Sequence, residues 1–147
     1  MKTELRDSPF NAWQELNGYQ ETLNDLKGKH GATAVFVGSM RDMNESSAVK
    51  AMFLEHYPEM TSRYLEKITH HAFTQWKILD ALVLHRVGHI LPEDTIVLVA
   101  VWSEHREEAF KASRYILEEL KHRAPFWKKE TLSDNSQRWV SQNTPSS

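Results

Sequence analysis

A cluster of basic residues surrounds Pro125 in the stretch LKHRAPFWKKE, residues 120–130. Its basic side chains are Lys121, His122, Arg123, Lys128 and Lys129. Two large aromatic residues, Phe126 and Trp127, stand among them, although a fully solvated charged surface does not need them and a core rarely takes lysines. Lysines beside apolar groups can act as nucleophiles or as general acids and bases, so this stretch is a candidate site.

Lys121 is predicted at the edge of the apolar stripe of a helix. It follows Phe110 by eleven residues, and at ~100° per residue the two side chains point in directions only about 20° apart. Partial burial disfavours the charged form of a lysine, which favours nucleophilic or acid–base chemistry. The alternative is that the aliphatic stem covers apolar surface while the ammonium group stays in water.

Lys128 and Lys129 follow within a predicted strand, where neighbouring side chains point to opposite faces. One of them can therefore share a cleft with Lys121 while the other is solvated. The alternative is an edge strand whose lysines protect it from pairing with other chains.

The segment SEHR, residues 103–106, opens a predicted helix. Ser103 is a suitable N-cap, and Glu104 suits the first turn. Helix N-termini bind anions through free N–H groups, to which His105 and Arg106 add cationic donors. Cations are slightly unfavourable in a first turn, so the alternative is that the fold only tolerates them.

Arg41 stands where a predicted strand passes into a loop, shortly after Gly38. Such positions commonly present ligand contacts. The alternative is an ordinary surface arginine.

Composition limits the classes of function. A chain of 147 residues suits one domain, and its net charge of −2 argues against a general nucleic-acid binder. The absence of cysteine removes disulfides, thiolate metal sites and cysteine nucleophiles. Eight histidines are present without an HExxH motif, and no metal site is predicted. No apolar run is long enough for a membrane span and no signal peptide is recognised, so the cytoplasm is the expected location.

Hydrophobic periodicity predicts three main helices separated by pairs of strands. The helices are expected at 12–26, from Pro58 to about 76, and from Ser103 to about 123. The strands are expected at 32–37, 49–57, 78–87, 95–102 and in a terminal hairpin of FWKKE and QRWV, with a polar loop at 41–47. This order predicts a single α+β domain with a mostly antiparallel or mixed sheet, a core at about 10–141, and flexible ends at 1–9 and 142–147.

Several motifs together resemble the large, catalytic subunit of molybdopterin synthase, the MoaE family. The matching stretches run in family order: GATAVFVGSMRDMN (31–44), LEHYPEM (54–60), LHRVGHILPEDTIVLVAVWSEHREEAF (84–110), LKHRAPFWKKE (120–130) and RWV (138–140). The combination of HRxG, SxHR and the KxRxPFWKKE block is specific to the family. One departure is the loop after Asn44, which reads ESSAV where relatives often carry a glycine.

The resemblance implies an α/β-hammerhead-like fold and a sulfurtransferase. Such an enzyme converts cyclic pyranopterin monophosphate to molybdopterin by inserting two sulfurs as a dithiolene, a step of molybdenum cofactor biosynthesis. Each sulfur arrives as the C-terminal Gly-Gly thiocarboxylate of a small ubiquitin-like subunit of the MoaD type, so no cofactor is implied. The family assembles as a homodimer of large subunits within a heterotetramer, and the pocket can draw on both large subunits.

Carried over by motif, the resemblance implies catalytic roles for Lys121 and Lys128. It implies substrate contacts for a longer set: Ser39, Met40, Arg41, His105, Arg106, Lys121, Lys128, Lys129 and Glu130. Transient acylation of Lys121 and the order of the two sulfur transfers stay open.

Two other functions compete with this enzyme. The first is a non-catalytic docking module for a ubiquitin-like Gly-Gly tail, which predicts that loss of Lys121 leaves function intact. The second is an RNA-binding domain that stacks bases on Phe126 and Trp127, which the net acidity disfavours.

Overall fold

The structure is a computed structural model that describes residues 1–140. Within these residues the strands are β1 (Lys2–Arg6), β2 (Ala32–Ser39), β3 (Met43–Asn44), β4 (Ser47–His56), β5 (Ile78–Arg86), β6 (Gly88–Ile90), β7 (Thr95–Ser103), β8 (Phe126–Leu132) and β9 (Gln137–Val140). The helices are α1 (Ala12–Glu21), α2 (Pro58–Gln75) and α3 (Arg106–His122), with a short 3-10 turn at Asn24–Leu26. None of these helices is long and apolar enough to cross a membrane.

The first sheet has the strand order β1-β5-β7-β2. Its central strands β5 and β7 are antiparallel and buried along nearly their whole length, because aliphatic residues predominate in both. β1 adds to β5 in parallel, and β2 adds to β7 antiparallel. This sheet therefore forms the rigid centre of the domain.

Helices cover both faces of the first sheet. On one face α2 and α3 pack over alternate residues of the strands, among them Ala81, Val83 and Val99. On the other face α1 packs over Leu82, Leu84 and neighbours, including the fully buried Trp102. The two-residue alternation of a strand thus sends neighbouring aliphatic residues into two separate cores.

The second sheet has the order β3-β4-β8-β9, with β6 also paired to β4. β4 and β8 are antiparallel and aligned so that Leu54 lies opposite Lys128 and His56 opposite Phe126. A third core of Met40, Met52, Ile90 and other apolar residues lies against it. This sheet carries the second half of the basic stretch.

The predicted α+β class with mixed sheets and three main helices is confirmed. The start at Pro58 is confirmed for α2, and the terminal hairpin appears as β8 and β9. The first helix is shorter than predicted, since α1 ends at Glu21 and only a 3-10 turn follows.

The prediction that residues 1–9 are flexible is wrong for β1. Lys2 to Arg6 pair with Leu82 to Arg86, and the N-terminal ammonium lies 3.0 Å from a carboxylate oxygen of Asp80. This strand is short and polar, and its formation depends on pairing with a distant strand, which local patterns do not show. The other predicted flexible end, 142–147, lies outside the described residues.

The predicted start of the third helix is also wrong. Ser103 is the last residue of β7, and its buried hydroxyl donates to the carbonyl of His105 instead of capping a helix. His105 is the residue before the first helical turn, and Glu107 and Glu108 are the acidic residues of that turn.

The predicted polar loop at 41–47 contains the small strand β3. It turns back into β4 through Glu45 and Ser46, whose φ angles are 51° and 64°. Both residues occupy the left-handed region, which favours glycine.

Candidate active site

Lys121 lies in the last turn of α3, beside the buried Leu120, and its side chain is half-buried. The predicted partial burial of Lys121 is confirmed. Phe110, which was used to mark the apolar stripe of the helix, does not belong to the buried face, because it is 65% exposed. The buried face of α3 is formed by Ala109, Ala112, Ile116 and Leu120, and Lys121 borders it.

A tight connection joins Lys121 to Lys128. The helix ends at a residue whose N–H donates to the carbonyl of Glu119, and Phe126 N–H then donates to the carbonyl of Ala124 at 2.8 Å. The fully buried Thr61 of α2 donates its hydroxyl to the carbonyl of Pro125 at 3.3 Å. These bonds fix where β8 begins relative to the end of α3.

Lys128 faces inward on β8. Burial is the main cause that lowers the pKa of its ammonium group below the ordinary value. The positive charges of Lys121 and Arg41 act in the same direction, and the negative charge of Glu130 opposes them. Three of the predicted cations therefore meet in one partly dehydrated region. There a lysine loses its proton to become a neutral amine more readily than on an open surface.

Ser39, Met40 and Arg41 form the end of β2 and the residues that follow it. A register shift occurs between Gly38 and Ser39, and Met40 is buried with its N–H and carbonyl bonded to the backbone of Asp94 and Glu93 at 2.9 and 2.8 Å. Ser39 and Arg41 are exposed on either side of it. A buried methionine thus anchors a segment whose neighbours point to solvent, with Arg41 close enough to act on Lys128.

Lys129 lies on the other face of β8. Its ammonium group is 5.6 Å from the ring centroid of Trp139, and it aligns with Phe53 on β4. Strand alternation separates it from Lys128. The structure therefore places Lys129 on the face of β8 opposite Lys128. The substrate contact expected of Lys129 stays a prediction.

Glu130 shares the inward face with Lys128 but is itself buried, with 4% of its surface exposed. Its two carboxylate oxygens accept hydrogen bonds from Asn44 and Arg138, each at 2.9 Å. Both oxygens are thus engaged inside the protein, which favours a supporting role over direct contact with a ligand.

His105 and Arg106 are exposed at the start of α3. Arg106 and Lys121 are fifteen residues apart on this helix, which separates their backbones by roughly 22 Å at 1.5 Å per residue. Within one chain the predicted anion-binding pair therefore does not join the lysines.

His85 is a buried residue of this region to which sequence analysis gave no role. Its ring stacks on Phe126, and its Nδ1 lies 2.7 Å from the carbonyl oxygen of Arg86. Because a carbonyl only accepts, Nδ1 carries the proton of the neutral ring. Burial is the main cause that lowers the pKa of His85 to about 4, and the nearby charges of His56 and Lys128 add to it. The signal was present in the HRxG motif, which contains this histidine.

The comparison with known proteins agrees with the geometry. The family model of the MoaE protein matches residues 10–123. The molybdopterin synthase catalytic subunit of Ralstonia nicotianae is 54% identical over 110 residues, covering 75% of this chain and 62% of that protein. The subunit of the same name from Pseudomonas aeruginosa is 41% identical over 140 residues, covering 95% and 90%.

Similar folds occur among solved structures. The crystal structure of molybdopterin synthase from Staphylococcus aureus superposes with a TM-score of 0.81 at 30% identity, and the match covers 97% of this chain and 99% of that chain. The sequence match, the full-length relatives and the shared fold lead to the same conclusion: the chain belongs to the MoaE protein family.

Proposed function

We propose that this chain is a molybdopterin synthase catalytic subunit. In this reaction cyclic pyranopterin monophosphate receives two sulfurs and becomes molybdopterin, a step of molybdenum cofactor biosynthesis. Membership of the family and the name shared by its relatives support the reaction. The observation that carries the assignment is the inward-facing, half-buried Lys128, on which the charges of Lys121 and Arg41 act.

The cations suit the substrates of this reaction. The phosphate of the pterin and the C-terminus of a sulfur carrier are both anionic, and charged donors bind such groups strongly. Because its pKa is lowered, Lys128 gives up its proton more readily than an exposed lysine does. We assign Lys128 to proton transfer and Lys121 and Arg41 to the binding of anionic groups and intermediates, with Ser39 and Met40 shaping the substrate side.

The sulfur must come from outside the chain, which contains no cysteine. The proposed source is the C-terminal thiocarboxylate of a small ubiquitin-like partner subunit. Since that group carries the sulfur already activated for transfer, the proposal includes no cofactor. The relatives are named as subunits, which is consistent with a partner chain.

The proposed pocket is shared between two large subunits. His105 and Arg106 lie at the far end of α3 from Lys121, so they can serve the same substrate only if they reach the lysines of a second copy. Large apolar side chains are exposed nearby at Phe110 on α3 and Phe36 on β2, as expected of a surface that meets another protein. The proposed assembly is a homodimer of large subunits with small subunits added to form a heterotetramer.

Glu130 and Lys129 receive different roles in this proposal. Glu130 supports the pocket through Asn44 and Arg138. Lys129 lies beside Trp139 on the outer face, and no contact with the substrate of its own chain is assigned to it.

The test is reconstitution of the reaction. The purified chain is mixed with cyclic pyranopterin monophosphate and with the small subunit in its thiocarboxylate form, and molybdopterin is detected as its fluorescent oxidation product. The matched control is the same small subunit ending in an ordinary carboxylate, which should give no product. Absence of product with the authentic thiocarboxylated partner would contradict the enzyme, and binding of that partner without product would leave a docking module.

A further inference from the structure

A triangle of hydrogen-bonded polar side chains, centred on the buried Glu130, lies beside Lys128. Arg138 Nε donates to Oε1 of Glu130, and Asn44 Nδ2 donates to Oε2 of the same carboxylate, both at 2.9 Å. The triangle closes where Arg138 Nη2 donates to the backbone carbonyl of Asn44 at 3.0 Å. Three strands of the second sheet thus meet on one carboxylate, whose side chain is only 5% exposed.

Register places this carboxylate on the face that carries Lys128. Glu130 pairs with Arg138, and Lys128 pairs with Val140, so these side chains share the inner face of the hairpin. Lys128 and Glu130 are two residues apart on one strand, or about 6.7 Å between their Cα atoms. A lysine stem spans that separation easily, so Lys128 is a natural ion-pair partner for Glu130.

That ion pair does not form. Among residues 1–140 the structure contains no ion pair between Lys128 and Glu130, although the charge of Glu130 acts on Lys128. Glu130 pairs instead with Arg138, whose planar guanidinium holds one carboxylate oxygen and the Asn44 carbonyl at the same time. A lysine ammonium lacks this fixed fork, so Arg138 competes better for the carboxylate.

We propose that Arg138 is a positioning residue that holds the Glu130 carboxylate and thereby keeps Lys128 out of an ion pair and available for chemistry. The consequence of this role for catalysis rests on the proposed function. The protonation of Lys128 and its lack of an ion pair with Glu130 are properties of the chain alone. The role differs from simple support of the hairpin, because it depends on the negative charge of Glu130.

Other charged or titratable groups near Lys128 stay in place when Arg138 is replaced. Lys121 of α3 and Arg41 after β2 act on Lys128, and Lys128 acts together with His56 of β4 on His85 of β5. None of them is an anion, so Glu130 is the group that can bind the Lys128 ammonium once Arg138 is removed.

The test measures the reactivity of Lys128 without substrate. The chain is acylated with trace amounts of an amine-reactive ester at a series of pH values, and peptide mass spectrometry gives the labelling of Lys128 relative to the exposed Lys67 of α2. The midpoint of this pH profile reports the protonation of Lys128, whereas a change in solvent access alters only its plateau. Arg138→Gln should move the midpoint to higher pH and lower labelling below the midpoint by about threefold to tenfold.

The double variant Arg138→Gln/Glu130→Gln separates the proposed role from a structural one. It lacks the carboxylate as well, so labelling should return at least to the level of the original chain. It also leaves no buried unpaired charge, which protects it from the instability that Arg138→Gln alone can cause. Glu130→Gln alone should label Lys128 faster than the original chain does.

Two results would overturn the proposal. One is an unchanged midpoint in Arg138→Gln, and the other is a double variant that labels as slowly as Arg138→Gln. Neither result depends on molybdopterin formation, so failure of this inference and failure of the proposed function are distinguishable.

Discussion

The imidazole ring of His85 stacks on the phenyl ring of Phe126, with ring centroids 4.2 Å apart and ring planes 17° from parallel. His85 belongs to the first sheet and Phe126 to the second, so this contact joins the two sheets next to Lys128. Phe126 and Lys128 share one face of β8, two residues apart, so the stack lies beside that lysine. The charge of Lys128 in turn acts on the ring of His85.

The burial of His85 predicts an acid-sensitive fold. The pKa of His85 is about 4 in the folded chain and 6.5 for an ordinary histidine, so between these values the unfolded chain binds more protons. The free energy of unfolding therefore falls as the pH is lowered through this window. The loss is roughly 3 kcal/mol for a pKa shift of this size. The measurement is urea unfolding between pH 4 and 7.

The matched variant for this prediction is His85→Phe, which keeps an aromatic ring against Phe126 and removes the titration. Its stability should depend less on pH across the same window. An identical pH dependence in both chains would show that His85 is not the group responsible.

Thr61 and Thr69 offer a matched pair for testing the connection between the two lysines. Both are fully buried residues of α2, but Thr61 bonds to the carbonyl of Pro125, and Thr69 bonds within its own helix to Leu65. Replacement of either by valine should lower the free energy of unfolding by about 1 kcal/mol. Thr61→Val should also lower kcat, because it releases the start of β8 relative to α3.

Thr69→Val should leave kcat close to that of the original chain. Steady-state kinetics and urea unfolding on both variants check this prediction. Equal effects on kcat would mean that the bond to Pro125 has no special part in placing Lys121 and Lys128.

Replacement of Ser46 by glycine should stabilise the folded chain. It turns the chain from β3 into β4 with a φ of 64°, where a side chain is strained and glycine is not. Ser46→Gly should raise the free energy of unfolding by about 0.5–1 kcal/mol. Ser47→Gly, in the neighbouring strand, should lower it instead, and denaturant unfolding of both variants gives the comparison. A loss of stability in Ser46→Gly would contradict the strain.

The shared pocket predicts complementation between inactive chains. Lys121→Ala and Arg106→Ala should each be severely impaired alone. If each pocket takes its lysines from one copy and its anion-binding pair from the other, every mixed dimer contains one intact pocket. Subunit exchange at equal concentrations should then restore about a quarter of the original activity, since about half of the dimers are mixed.

The complementation assay uses the two variants refolded together, with each variant refolded alone as the control. Differently tagged chains show whether mixed dimers have formed. If they have formed and activity is not restored, either all the required residues belong to one copy or Arg106 is not part of the pocket.

The strong features of the fold were predictable from local pattern. The apolar run of β7 and the proline that opens α2 both led to elements that the structure contains. β1 was missed because five largely polar residues become a strand only by pairing with β5. Ser103 was misassigned because its residue type suits an N-cap, whereas its position continues a buried strand.

The candidate site was predictable as a set of residue types but not as an arrangement. Alternation predicts that Lys128 and Lys129 face opposite ways, yet only the register of β8 against β4 decides which one is inside. The engagement of Glu130 by Arg138 likewise depends on hairpin register. His105 and Arg106 are separated from Lys121 by the length of α3. The motifs that contain these residues do not show how far apart they lie in the fold.

The most direct measurement is molybdopterin formation by Lys121→Ala and Lys128→Ala in the reconstituted assay. Lys111→Ala is the matched control, because Lys111 is an exposed lysine of the same helix as Lys121 and pairs with Glu107. We expect each site variant to bind the small subunit but to lose about a hundredfold or more in the rate of product formation, while the control stays near the original rate. Full activity in Lys128→Ala would contradict the claim that the half-buried pair of Lys121 and Lys128 is the reaction centre.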